Sequence, residues 1–451
     1  MRISVIGLGK LGSPMAACFA AKGFTTIGVD LNERFVESIN EGAAPVFEPG
    51  LSDMIAEGRG CLTATTDTAE AVAATDVTFV IVPTPSQEDG GFSLAYVLPA
   101  MEAIGRAIAE KDGYHLVCLT STVMPGATGG PVLHALEEAS GKRVGVDVGL
   151  CYSPEFIALG SVLRDFLNPD FLLIGESDER SGQALADLYR RVVNNDPPVA
   201  HLNFVNAELA KISVNTFVTT KIAFANMLAR ICERLPEANV DEVTSALGLD
   251  SRIGAKYLRG AISYGGPCFP RDNIAFASLA RSLDAPAFVA EATDATNRDG
   301  IVRLADLVLA ELAPGGTVAV LGLSYKPSTD VVEESPGLHL VQALIGHSAD
   351  LMLYDPAAMP NARNHLDESR VTFCDSAEEA IRSADVVVVA TPWQEFTAIA
   401  AETWRRVETP RVIIDCWRLL PPELRDKDVR YLALGTALPA ASAPAELVTR
   451  T

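Results

Sequence analysis

Arg2-Ile3-Ser4-Val5-Ile6-Gly7-Leu8-Gly9-Lys10-Leu11-Gly12 opens the chain, and its reading decides the fold. Residues 2–6 read as a short buried strand, and a helix is expected from the glycines through Ala21. Thr25 to Val29 reads as the next strand and ends in Asp30. In a GxGxxG set between strand and helix, the first glycine makes the tight turn. The second lets a pyrophosphate approach, and the third lets helix pack on sheet. The pyrophosphate then sits at the helix N-terminus, where free N–H groups favour an anion. Asp30 binds a ribose 2′-hydroxyl and repels a 2′-phosphate, which favours NAD over NADP. Gly7, Gly9, Leu11, Gly12 and Asp30 are therefore the expected cofactor contacts.

Working outward, Leu62–Thr65, Val77–Val82 and Leu116–Leu119 read as further buried strands with helical patterns between them, the alternation of a doubly wound parallel sheet. Ligands bind at the carboxyl ends of such strands. Thr84, in Pro83-Thr84-Pro85, and Thr122, in Thr120-Ser121-Thr122, are thus candidate contacts, with plain turn chemistry as the competing reading. Glu155 follows the apolar stretch Val148–Cys151 and is flanked by Pro154, Phe156 and Ile157. Desolvation there raises a carboxyl pKa towards that of a useful base. A strand at Phe171–Ile174, a polar helix at Asp178–Arg191 and a loop at Asn194–Pro198 close a first domain, residues 1–202.

A long helix is expected from Asn203 to Leu235. Apolar residues at Leu209, Ile212, Phe217, Ile222, Phe224 and Leu228 put much of its circumference in the interior. Lys211, Asn215 and Thr219 share one face at i, i+4, i+8. Such donors suit a developing oxyanion, and a salt-bridged structural lysine is the alternative. Asp250 to Arg259 is basic within an acidic chain, so Arg252, Lys256 and Arg259 are candidate phosphate ligands. It leads into Gly265-Gly266-Pro267-Cys268-Phe269-Pro270-Arg271-Asp272. The glycines let backbone approach something bulky. Pro270 opens a helix expected over Ile274 to Leu283, so Cys268 lies just ahead of a helix N-terminus with Arg271 nearby. Both favour a nucleophilic thiolate, against the alternative of a buried structural cysteine. Asp272 is placed to exchange protons there.

After a helical stretch at Pro286–Leu312, a second alternating pattern starts at Thr317–Gly322, with strands at Leu351–Tyr354, Asp385–Ala390 and Val412–Asp415. The fold class is therefore α/β: two doubly wound domains, 1–202 and 314–436, joined by a central all-helical domain, 203–313. The second lacks a full GxGxxG, so its expected ligand is not a dinucleotide. The tail, 437–451, is rich in Ala, Pro, Ser and Thr and is expected to be disordered.

Composition excludes several classes. A formal charge of −22 opposes nucleic acid or anionic membrane as main partner. The eight cysteines form no CxxC and no Cys/His cluster, so neither a metal site nor a disulfide framework is expected. No apolar run reaches the roughly 20 residues of a membrane span, and the chain reads as cytoplasmic. The candidate residues together fit a reaction: a cysteine captures an aldehyde, the adduct is oxidised to a thioester, and a base helps water cleave it.

Along nearly its whole length the sequence resembles the UDP-glucose/GDP-mannose dehydrogenase family. The likeness runs through GLGKLG with Asp30, EPGL (48–51), VPTP (82–85), STVMPG (121–126) and SPEF (153–156). It continues through NAELAKISVNTF (206–217), SRIGAKYL (251–258), YGGPCFPRD (264–272) and VLGLSYKPSTD (320–330). The resemblance implies NAD-dependent four-electron oxidation of a nucleotide-sugar C6 alcohol to a uronate, with UDP-glucose the leading substrate. It implies Cys268 as nucleophile, Lys211 and Asn215 as oxyanion donors and Asp272 as acid/base partner. Glu155 would be the base, working with water held by Thr122. Tyr257, Gly265 and Lys326 would line the nucleotide-sugar site together with Glu155, Lys211 and Asn215. Arg252 would reach across from a neighbouring subunit of a homodimer or higher homo-oligomer. Thr84, Thr122, Glu155 and Arg271 would join the glycines around NAD. Phe35, Leu159, Phe171, Arg271 and Glu333 depart from the family's common residues. GDP-mannose and UDP-N-acetylhexosamines are alternative substrates. A 3-hydroxyacid-type dehydrogenase and a non-catalytic NAD-binding protein are alternatives of another class.

Overall fold

Ile3 and Val5 have no solvent exposure, as expected of a strand covered on both faces. They lie in a computed structural model that describes residues 1–347, 350–406, 409–425 and 428–438. The chain divides into two units, Met1–Val214 and Asn215–Thr451.

The strands of the first unit are β1 (Ile3–Ile6), β2 (Thr26–Val29), β3 (Leu62–Thr65), β4 (Val77–Val80), β5 (His115–Leu119), β6 (Val148–Tyr152), β7 (Leu172–Glu176) and β8 (Val199–Leu202). They form one sheet in the order β3-β2-β1-β4-β5-β6-β7-β8. In register, Ile6 pairs with Val29 and Val80, Val80 with Leu119, and Leu119 with Tyr152. Five strands therefore end level with one another. Gly7, Asp30, Thr84, Thr122 and Glu155 all follow within four residues of those ends, so all leave from one edge. The expected all-parallel sheet is corrected at β7, which pairs antiparallel with β6. A parallel β7 would need the chain to return to the opposite edge. The segment after β6, whose Gly160 and Val162 N–H groups donate to Glu48, instead stays on the carboxyl side, and β7 runs back from there.

The long helix is Phe204–Cys232 and crosses from one unit into the next. Its expected burial is also corrected: Phe217 is 67% exposed and Phe224 45%. In the second unit, helices follow at Val240–Gly248, Phe269–Ser282 and Phe288–Glu311. The cysteine helix thus begins five residues before the expected Ile274, with Pro270 in its first turn. Strands β9 (Thr317–Leu321), β10 (Asp350–Tyr354), β11 (Thr372–Phe373), β12 (Val386–Val389), β13 (Arg411–Asp415) and β14 (Val429–Ala433) complete a parallel sheet ordered β11-β10-β9-β12-β13-β14. Ala437 N–H donates to Ala238 and Leu438 N–H to Glu233, so these two residues of the expected disordered tail are tied down. The rest of that tail lies outside the described residues. Among the described residues, no helix is long and apolar enough to cross a membrane.

The two sheets share a frame. A Cβ on Gly12 would lie 1.8 Å from the Gly7 carbonyl, and one on Gly337 would lie 2.1 Å from the Gly322 carbonyl. Gly7 and Gly322 both have left-handed φ, +98° and +103°. Asp30 follows β2 and Asp355 follows β10. The two acids differ in use. Asp355 is 1% exposed. One of its oxygens accepts from Ala357 and Ala358 N–H, the other from Leu323 N–H, Ser324 N–H and Oγ, and the Trp393 indole. Asp355→Ala would orphan several buried donors at once, and is expected to cost on the order of 3 kcal/mol in chemical denaturation. A loss under 1 kcal/mol would show that water replaces the carboxylate.

Candidate active site

The glycine turn separates what packing needs from what a ligand needs. A Cβ on Gly7 would lie 2.2 Å from the Ile81 carbonyl, and Gly12 abuts Gly7. Gly9, between them, has no atom within 4 Å of a Cβ position. Its space is open, as close approach of a pyrophosphate requires. Asp30 accepts from Leu8 N–H at 2.7 Å and Asn32 N–H at 2.8 Å, one bond to each oxygen. A lone pair on each is left for ribose hydroxyls. Leu11 precedes the helix Gly12–Ala21 as its N-cap. These residues fit NAD. Thr84 is buried and Thr122 half-buried on neighbouring loops of the same edge. Phe35 is half-buried and packs against the hydrophobic core.

Glu155 keeps some surface, but its carboxyl turns inward, with the Tyr189 hydroxyl donating at 3.4 Å. Desolvation raises its pKa to about 7, while the Lys211 charge and the Tyr189 bond pull it down. Lys211 is buried and donates to the Glu155 backbone carbonyl at 2.7 Å. Its ammonium also lies 4.7 Å from the Phe156 ring centre, and Phe156 stacks on Phe171 at 4.8 Å. Phe171 therefore backs the aromatic shelf under the lysine. Leu159 is half-buried.

In the second unit, Cys268 is the N-cap of the helix Phe269–Ser282. It is also the only exposed cysteine of eight free thiols. Asp272, 1% exposed, lies in the first turn of that helix. It accepts from the Asn215 amide at 2.6 Å and from Arg271 at 3.3 Å. The structure thus joins Asn215, Asp272 and Arg271 directly, and leaves Asn215 a second amide hydrogen. The bulk that Gly265 and Gly266 approach is the chain itself. A Cβ on Gly265 would lie 2.0 Å from the Glu334 carbonyl, and one on Gly266 2.6 Å from the Tyr325 ring. Glu333 is exposed, and its carbonyl accepts from Gly266 N–H. Lys326 lies on the same loop, half-buried, 6.0 Å from the Tyr325 ring centre. Tyr257 has φ +62° and is half-exposed, its ring edge-on to Phe269. Arg252 is exposed and paired with Asp250, and Arg259 lies over Trp417.

Two residues escaped the residue-by-residue reading. Glu48 takes Gly160 N–H at 2.7 Å and Val162 N–H at 2.8 Å, closing the loop that begins at Glu155. Glu208 takes Gly126 N–H at 2.6 Å and Thr128 N–H at 2.7 Å, on the loop that carries Thr122. The available signal was a buried glutamate in an apolar run, which for Glu208 is its place between Ala207 and Leu209.

Residues 1–193 match the NAD binding domain of the UDP-glucose/GDP-mannose dehydrogenase family, 205–299 its central domain, and 319–422 its UDP binding domain. A UDP-glucose 6-dehydrogenase of Haloferax volcanii is 38% identical, across 93% of this chain and 97% of its own length. A GDP-mannose 6-dehydrogenase of Pseudomonas syringae pv. syringae is 34% identical across 89% and 94%. The solved structure of a UDP-glucose dehydrogenase from Pyrobaculum islandicum superposes with a TM-score of 0.88 at 35% identity, across 97% and 98%.

Two predictions follow from this geometry. Gly9→Ala should leave the melting temperature without coenzyme unchanged while weakening NAD binding about tenfold, ~1.4 kcal/mol. Gly12→Ala should itself destabilise by roughly 1–3 kcal/mol. Calorimetry showing the reverse pattern would refute the assignment. The second concerns Glu155, whose folded pKa of about 7 lies above the usual 4.5. Across that window the folded protein holds more protons than the unfolded chain, so its stability falls as pH rises. The loss should reach about 3 kcal/mol by neutral pH. Urea titrations of wild type and Glu155→Gln should show that slope in the wild type alone.

Proposed function

This chain belongs to the UDP-glucose/GDP-mannose dehydrogenase family of NAD-dependent oxidoreductases. From that premise we propose that it oxidises the C6 alcohol of a nucleotide sugar to the uronate, UDP-glucose first among substrates. The observation that carries the reading is Cys268, exposed at a helix N-terminus while every other cysteine is buried or half-buried. NAD, when bound, supplies the hydride acceptor for both oxidations. The Cys268 thiolate adds to the C6 aldehyde, and the carbonyl electron pair moves to oxygen, where Lys211 and Asn215 donate. Loss of hydride from C6 and of the hydroxyl proton leaves a thioester. Water held by Thr122 adds to it as Glu155 takes a proton, and sulfur departs with the C–S pair as Asp272 manages its proton. One alcohol and one water thus yield a carboxylate, two hydrides and three protons.

UDP-glucose leads because the 38% identical relative of Haloferax volcanii is a UDP-glucose 6-dehydrogenase, and because residues 319–422 match a UDP binding domain. Tyr257, Gly265, Lys326 and Arg252 are assigned to the nucleotide sugar. We take residues 1–202, 203–313 and 314–436 as coenzyme, central and nucleotide-sugar domains. Phe217, Phe224, Met227 and Ile231 are 41–67% exposed along the long helix, at spacings that share one face. That apolar stripe supports a homodimer formed there. Eight free thiols support a cytoplasmic setting.

NADH yield per nucleotide sugar tests the reading, over UDP-glucose, GDP-mannose and UDP-N-acetylglucosamine. Two NADH per UDP-glucose are expected, with Cys268→Ser slower by on the order of 10³-fold or more. One NADH per substrate, unaffected by the substitution, would instead identify a simple alcohol dehydrogenase.

A further inference from the structure

We propose that Glu208 is a positioning residue for the hydrolytic half of the reaction: it fixes the loop that carries Thr122 to the helix that carries Lys211. The inference rests on the reading of Thr122 as the residue that holds water. Glu208 has no solvent exposure. Its two oxygens divide the work, one accepting from Gly126 N–H and the other from Thr128 N–H. Both must be acceptors, which a carboxylate supplies and an amide does not.

The loop it holds bends sharply, and its own bonds, Ala127 N–H to the Met124 carbonyl and Val132 N–H to the Ala127 carbonyl, are joined by those to Glu208. Gly126 has φ +96°, a conformation few other residues adopt. Residues Thr128–Val132 form a π turn interrupted at Gly130, whose φ and ψ are −107° and −109°. Backbone of this kind persists when its surroundings over-determine it, and Glu208 supplies two of the determinants. The loop starts from Leu119, which pairs in register with Tyr152. Thr122 and Glu155 therefore stand equally far beyond the ends of adjacent strands. Lys211, one turn after Glu208 on the helix Phe204–Cys232, holds the Glu155 carbonyl. One helix thus ties both loops through two separate contacts. Ser121 pins the loop before Thr122 through the Val80 and Val82 carbonyls, and Glu208 pins it after; breaking the Glu208 contact frees that second side and leaves the lysine contact intact.

A defect confined to water delivery is therefore expected. A reacting group displaced by about 1 Å costs on the order of 10²-fold in rate. The test uses the full chain with UDP-glucose and NAD, following NADH release in a single turnover and the intact mass of the protein. Glu208→Gln is expected to release NADH at near wild-type rate, accumulate a covalent substrate adduct on Cys268, and turn over on the order of 10²-fold more slowly. Thr122→Ala should show the same adduct, and the double variant should be no slower than the worse single. Slow NADH release without adduct in Glu208→Gln, or additive losses in the double variant, overturns the proposal in favour of a general structural role. Absence of adduct in Thr122→Ala overturns the water-holding reading and this route with it. If Glu208→Gln does not fold, Glu208→Asp, which keeps both oxygens one methylene short, must show the adduct in milder form, and its absence is equally fatal.

Discussion

A backbone N–H that leaves the end of a strand has no ladder partner, and burying it unpaired is costly. In this protein carboxylates meet that requirement. Asp30 takes Leu8 and Asn32, Glu48 takes Gly160 and Val162, and Glu208 takes Gly126 and Thr128. In the second unit Asp355 takes Leu323 and Ser324, and Asp415 takes Trp417 and Leu420. Each of these loops follows a strand or bears a functional residue. Part of the charge of −22 is thus internal and directed at backbone, rather than spread over the surface as a field. A carboxylate suits the task because two oxygens offer about four lone-pair sites and no donor.

The chemistry draws on that scaffold unequally. Glu155 acquires its raised pKa from burial, moderated by a lysine whose nitrogen is fixed on the same residue's carbonyl. Cys268 depends instead on its station at a helix start, with a buried Asp272 one turn along and engaged by Asn215. Lys211 and Asn215 stand four residues apart on one helix, so two donors of different charge share a rigid spacing that neither loop alone provides.

Much of this was legible in the sequence because it depends on local pattern. Strand β3 lies where alternation places it, the GxGxxG turn sits between strand and helix, and the order of elements dictates doubly wound sheets. Glu155 was visible from its apolar neighbours. What escaped depends on partners far away in sequence. Glu48 meets its donors after more than a hundred residues, and Glu208 looks backward by about eighty. The antiparallel β7 follows from where a loop is held, which periodicity does not record. The exposure of Phe217 and Phe224 has a similar reason: apolar residues at helical spacing do not record whether the rest of the chain packs on them.

The second glycine–glycine–acid frame differs from the first in what its strand end can hold. Asp355 keeps the place of Asp30, but its lone pairs are committed and it is sealed from water. No ribose hydroxyl can reach it. The copied architecture therefore does not offer at Asp355 the open acid that Asp30 offers, although the two sheets share one design. The same frame thus makes an open socket where its acid keeps spare lone pairs, and a sealed joint where the acid is spent on the turn itself.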